Sequence, residues 1–168
     1  MIYEMTVPQF IKTLRNVTAI LDKAAGFADQ KKIESTVLMG LRLVPDQLDF
    51  TRQIQIACDS AKLGVARVTE KAAPEHADTE KTLPELKARI ESTIKYLETI
   101  KPADFSGVEA RRVTTPRWEG KTLSGSEYII HHTIPNFYFH VTTAYSILRA
   151  NGVELGKKDF LGALPFKA

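Results

Sequence analysis

Three times along this chain a hydroxyl residue stands three positions ahead of a Glu or Gln at the head of an apolar run: Thr6-Val-Pro-Gln9, Thr82-Leu-Pro-Glu85 and Ser124-Gly-Ser-Glu127. Each is a capping box, in which the hydroxyl accepts from an unpaired backbone N–H and the longer side chain reaches back to the cap's own N–H. In the first two, proline fills an early helical position where its missing N–H costs nothing. A chain punctuated this way is committed to helices. From Thr6, the residues Phe10, Ile11, Leu14, Val17, Ile20 and Leu21 keep helical spacing up to Gly26, which reads as the stop. From Thr82, Leu86, Ile90, Ile94 and Leu97 do the same until Pro102. The last helix runs from Ser124 towards Arg149, with Ile130, Ile134, Phe137, Val141, Ala144 and Leu148 as its seam and Asn151-Gly152 as its end.

The second long helix has no box. Val37 to Val44 is apolar and reads as a short helix, after which Pro45 restarts the chain. Phe50, Ile54, Ala57, Cys58, Ala61, Val65 and Val68 then form a stripe, placing this helix at about 45–70. Helices of about 19 to 26 residues are each about 28–39 Å long, matched well enough to lie side by side. The connection 102–123 is long, and β-branched residues flank Glu119-Gly120 within it. A small β-hairpin is expected there, with Pro116 confined to an edge.

With 168 residues, 43% hydrophobic and 26% charged, the chain is expected to form one domain over 1–168 with a single core. The net charge of +3 is spread thinly, which speaks against nucleic acid as a partner. No apolar run is long enough to span a membrane. The only cysteine, Cys58, rules out an intrachain disulfide and reads as a small core residue. Met-Ile-Tyr-Glu-Met lacks the pattern of a signal peptide, so a cytoplasmic location is expected.

Candidate chemistry gathers on the last helix. His140 lies at the flank of its seam, where an imidazole can face an interhelical pocket; Asn136 is one turn earlier and His132 two. Pro135 breaks the regularity of that turn. Asp46 on the second helix is a candidate oxygen ligand or base, although acidic residues near a helix start also complement the dipole. Arg52, Asp59 and Lys62 read as solvated helical ion pairs, and His76, in a charged loop, receives no role. Trp118 on the hairpin is placed to roof the end of the bundle. Phe137 is explained by the core. Tyr138 and Phe139 need cover, from the C-terminal segment or from a second copy of the chain.

Several stretches carry a family likeness: Leu43-Val-Pro-Asp46, Arg52-Gln-Ile-Gln-Ile-Ala-Cys-Asp-Ser-Ala-Lys62, Pro135-Asn-Phe-Tyr-Phe-His140, Ala144-Tyr145-Ser-Ile-Leu-Arg149 and Asn151-Gly-Val. Over nearly its whole length the chain resembles a family of domains of unknown function allied to the DinB/YfiT-like superfamily. The resemblance implies an all-α, antiparallel four-helix bundle in up-down-down-up order, commonly assembled as a homodimer. It also implies a divalent metal held by a histidine on the second helix and a His-x-x-x-His pair on the last. Here that pair falls on Asn136 and His140, and the third position falls near Asp46, so one imidazole of three survives. An Asp46, Asn136, His140 set is a weaker, oxygen-rich site than zinc or nickel prefers.

These readings converge on a DinB-like bundle that binds a small polar ligand in a pocket around Asp46, Asn136, His140, Tyr145 and Trp118, with no cofactor. One alternative is a metal-dependent transferase or hydrolase carrying nickel, zinc or manganese on Asp46, Asn136 and His140. The other is an interaction protein that dimerises through its last helix.

Overall fold

In a computed structural model describing residues 1–167, four long helical stretches pack around one apolar core, with a two-stranded sheet at one end. Helix α1 (Ile2–Lys31) lies against α4 (Leu83–Thr99), and α3 (Phe50–Thr69) lies against both α4 and α6 (Ile134–Ala150). Short helices α2 (Ser35–Met39), α5 (Gly125–Tyr128) and α7 (Lys157–Leu161) complete the α-helices, and 3-10 turns lie at Pro102–Phe105 and Pro116–Trp118. Strands β1 (Arg112–Val113) and β2 (Leu123–Ser124) pair antiparallel, Arg112 with Ser124 and Val113 with Leu123, so the expected hairpin is present. Its turn carries Glu119 and Gly120 in the left-handed region, at φ 51 and 83°. No helix among the described residues is long and apolar enough to cross a membrane.

Two of the three capping boxes form as read. Thr82 and Ser124 each accept from the N–H three residues on and receive the Glu85 and Glu127 carboxylates on their own N–H. Thr6 does not cap. The helix begins four residues earlier, at Ile2, because Ile2 and Tyr3 gain burial against the core and the Tyr3 ring meets Phe105 at 5.9 Å. Thr6 therefore sits inside the helix, its hydroxyl donating back to the carbonyls of Ile2 and Tyr3. Nor does Gly26 end α1. The helix continues through the fully buried Ala28 and stops at Lys32, whose φ of 56° supplies the left-handed cap.

Helix α3 starts at Phe50 rather than near 45, because Asp49 is its N-cap and accepts from the Arg52 N–H at 2.9 Å. Pro45 and Asp46 thus precede the helix. The last helical stretch holds one π-helical turn, Ile129–Thr133, in which the Ile134 N–H reaches back five residues to the Ile129 carbonyl. This widening immediately precedes Pro135, whose ring would clash with the carbonyl four residues back in a tighter helix. The extra residue also rotates the seam. Ile129 and Thr133 are buried, while Ile130, read from sequence as a seam residue, is exposed. Gly64 of α3 meets this turn so closely that the Thr133 side chain occupies the place of a Cβ.

The C-terminal segment packs on α1. Asn16 donates to the Phe160 carbonyl, Lys23 pairs with Asp159 at 2.7 Å, and Phe160 lies edge-on to Tyr145. Phe139 remains 59% exposed.

Candidate functional site

The α3–α6 seam is crossed by two polar rungs. In the first, His140 Nδ1 lies 2.7 Å from Gln53 Oε1, and Gln53 Nε2 donates to the Leu48 carbonyl at 2.9 Å. That carbonyl can only accept, so the Gln53 amide has one orientation, with its oxygen towards the ring. Nδ1 must then carry the imidazole proton. The ring is only 8% exposed, and burial, followed by the nearby Arg52 guanidinium, lowers its pKa from 6.5 to about 4. His140 is therefore neutral near pH 7, with an unshared pair on Nε2. Among the described residues nothing donates to Nε2, and the atom is not fully sealed from solvent, so this lone pair is left without a protein partner.

The second rung has the same logic. Asn136 Nδ2 lies 2.7 Å from Ser60 Oγ, and the Ser60 hydroxyl is itself 2.7 Å from the Ile56 carbonyl. The single hydroxyl proton goes to that carbonyl, so Asn136 must donate to Ser60 and present its own oxygen away from it. One helical turn apart on α6, His140 and Asn136 thus each offer an acceptor. A groove of about 400 Å³ runs along the same helix, lined by Leu43, Tyr138, Phe139, Thr142, Thr143 and Ser146.

The remaining sequence-derived candidates lie apart. Asp46 is exposed in the turn ahead of α3, with no hydrogen bond or ion pair among the described residues. Gln53, not Asp46, is the α3 group against His140. Tyr145 faces Phe160, its hydroxyl 3.5 Å from Arg149. Trp118 meets Tyr128 and His132 edge-on at 5.8 and 5.4 Å, and His132 stacks on Tyr128 at 5.2 Å, so Trp118 covers the π turn.

Among the described residues no group of three or more His, Cys, Asp or Glu is placed to hold a metal ion. Around His140 the donors are one imidazole and two amides. That set does not fit zinc or nickel, which favour several imidazole or thiolate ligands.

A second polar assembly lies on the other side of α3. Arg89, 3% exposed on α4, meets Asp59 at 2.7 Å, Asp78 at 2.7 Å and Glu80 at 3.0 Å. Lys62, also 3% exposed, meets Asp59 at 3.3 Å, the Pro74 carbonyl at 2.7 Å and His76 Nδ1 at 2.9 Å. Lys62 and Asp59 are not the solvated pair expected from their spacing, because residues 70–82 fold over them. His76, assigned no role from sequence, is part of this closure. The available signal was an arginine three residues after Leu86 in an otherwise apolar stripe, preceded by the acidic run Glu75, Asp78 and Glu80. Beneath, Cys58 is fully buried, and burial pushes its thiol up to about 12, an inert core residue as its composition suggested.

None of the curated proteins matches the chain. Among solved structures it is similar to a DinB family member protein from Shewanella denitrificans, known from its crystal structure. The two are 55% identical, the match covers 100% of this chain and 96% of that one, and the TM-score is 0.97. The family model of the domain of unknown function DUF1993 matches residues 2–161. The helical frame, the likeness to a DinB protein along its whole length and this match agree: the chain belongs to the DUF1993 family of DinB-like domains.

Proposed function

We propose that this DinB-like protein, with its long helices arranged as the superfamily's four-helix bundle, binds a small polar molecule at the α3–α6 seam. The observation that carries this reading is the unpartnered Nε2 lone pair of His140 on a ring whose other nitrogen is locked by Gln53. A buried imidazole held neutral, in one tautomer and with one acceptor free, is preorganised for a partner that donates a hydrogen bond. The Asn136 oxygen adds a second acceptor on the same side. The ligand class is therefore an N–H or O–H donor, rather than an acid, which would bring like polarity against both groups.

Thermal-shift screening of small amides, alcohols, imides and divalent ions against wild type and His140→Gln tests the reading. The expected result is a donor-bearing compound that raises the wild-type Tm and leaves the variant's unchanged. A screen in which every stabiliser acts equally on both proteins would remove His140 from the site. Stabilisation by zinc, nickel or manganese alone, lost in the variant, would restore the metal-dependent alternative.

A second reading rests on the exposed apolar cluster of Leu43, Val44, Leu48 and Phe139, beside the groove on α6. A phenylalanine left open in this way suits a homodimer interface, which buries aromatic side chains at its centre. Sedimentation of wild type and Phe139→Asp decides it: a dimer in the first and a monomer in the second is expected. A monomeric wild type at the highest attainable concentration would end it.

A further inference from the structure

Residues 70–82, between α3 and α4, hold no regular structure, and among the described residues no backbone–backbone hydrogen bond ties positions 71–81 to the rest of the protein. Side chains alone hold this segment down. Lys62 and Tyr96 donate to the carbonyls of Pro74 and Lys71, at 2.7 and 2.9 Å. Arg52 and Arg89 hold Asp78, and Arg89 and Gln55 hold Glu80. At the centre stands His76, Nδ1 on Lys62 at 2.9 Å and Nε2 on Ser92 Oγ at 3.0 Å.

An ammonium has only protons to give, so His76 Nδ1 must be bare and Nε2 must carry the proton that goes to Ser92. A second proton on this ring would turn the Lys62 contact into two donors face to face, both cationic. The surroundings cannot absorb that charge without rearrangement. From α3 the ring faces Lys62 and Asp59; from α4, Ser92 and Arg89, with Tyr96 and the exposed Glu91–Lys95 pair on the flank; from its own segment, Glu80. The cations Arg52, Lys62 and Arg89 already match the carboxylates Asp59, Asp78 and Glu80.

We propose that residues 72–77, between the Tyr96–Lys71 anchor and Asp78, form an acid-released strap, with His76 as the joint whose protonation frees this stretch from Lys62 and Ser92 while Asp78 and Glu80 stay held. The direction follows from the same contacts. Burial first, then Lys62 and Arg89, hold His76 below its ordinary value, so the neutral ring is the form the fold favours. The joint is intact above the ordinary histidine range and is lost as the pH falls below it. The ion pairs outlast it. Burial would raise Asp78 and Glu80, but hydrogen bonds from Arg52 and Arg89 to Asp78, and from Arg89 and Gln55 to Glu80, hold both below the usual carboxylate range. Release therefore belongs to weakly acidic solution, before those carboxylates titrate.

Nitrogen-15 relaxation and ring spectra of the full-length protein test this. At pH 7.5 His76 should show the Nε2–H tautomer, and residues 72–77 should give heteronuclear NOE values like those of the helices. Near pH 5 those values should fall in the wild type but not in His76→Gln, whose amide can accept from Lys62 and donate to Ser92 without titrating. An Nδ1–H ring at pH 7.5, or a strap as rigid at pH 5 as at 7.5, would overturn the proposal. So would equal loosening in wild type and variant, since the proton responsible would then lie elsewhere. If His76→Gln does not fold, the two wild-type measurements alone decide.

Discussion

Helix α3 presents two polar faces that work in opposite ways. Towards α6 it offers Gln53 and Ser60, neutral groups that each accept one hydrogen bond from an α6 side chain and leave an acceptor free on His140 and Asn136. Towards α4 it offers Asp59 and Lys62, charged groups drawn into a closed network with Arg89 and the strap. Neutral rungs fix orientation at little desolvation cost and can leave valence over for a ligand. Charges at this depth are tolerated only when matched, and the donor left over there, Arg89 Nε, is sealed inside the protein and out of a newcomer's reach. A buried polar group is a candidate site when its partners leave it unsatisfied on the open side, not simply because it is polar and buried.

The sharpest way to break this contrast is Arg89→Met, which keeps the stem's packing and removes the charge. With the carboxylates of Asp59, Asp78 and Glu80 left unmatched, a loss of about 3 kcal/mol or more is expected in denaturant unfolding. A cost below about 1 kcal/mol would make the α4 face dispensable and the contrast empty.

Next comes the pH response of the opposite face. The His140 pKa is lowered from 6.5 to about 4 in the fold, chiefly by burial. A base depressed in this way contributes stability that is fully present above the unfolded value and is lost as the pH falls through the folded one. At about 1.4 kcal/mol per unit, that contribution is on the order of 3–4 kcal/mol. Denaturation midpoints between pH 7.5 and 4.5 should fall less steeply for His140→Gln than for wild type. Parallel slopes would show that His140 is not held neutral.

The smallest effect is expected from Ser60→Ala. It removes the acceptor from Asn136 Nδ2 at a half-buried rung and should cost about 0.5–1.5 kcal/mol by the same unfolding measurement. A substantially larger loss would mean that the second rung is structural, like the α4 face, rather than open.

What could be read in advance follows the range of the forces. Thr82 and Ser124 cap as expected because a capping box is closed within four residues. The hairpin around Glu119-Gly120 was legible for a similar reason: its turn conformation is a local matter. Thr6 misled because a local cap was outbid by burial of Ile2 and Tyr3, and Gly26 because Ala28 beyond it reaches the core. Ile130 was misplaced because the π turn inserts a residue into an otherwise regular period. That His140 and Asn136 lie one turn apart on the last helix was legible in their spacing; that Gln53 and Ser60 would meet them was not.

The chain by itself determined that it would be helical, where two of its long helical stretches begin, where its hairpin turns and most of the residues that form the core, because these depend on hydrogen bonds and apolar periods a few residues long. Only the tertiary structure decided which nitrogen of His140 bears the proton and which carboxylates surround Arg89. Those partners lie 87 and 30 residues away in sequence for Gln53 and Asp59. The state of a buried charge or proton is set by what is folded against it.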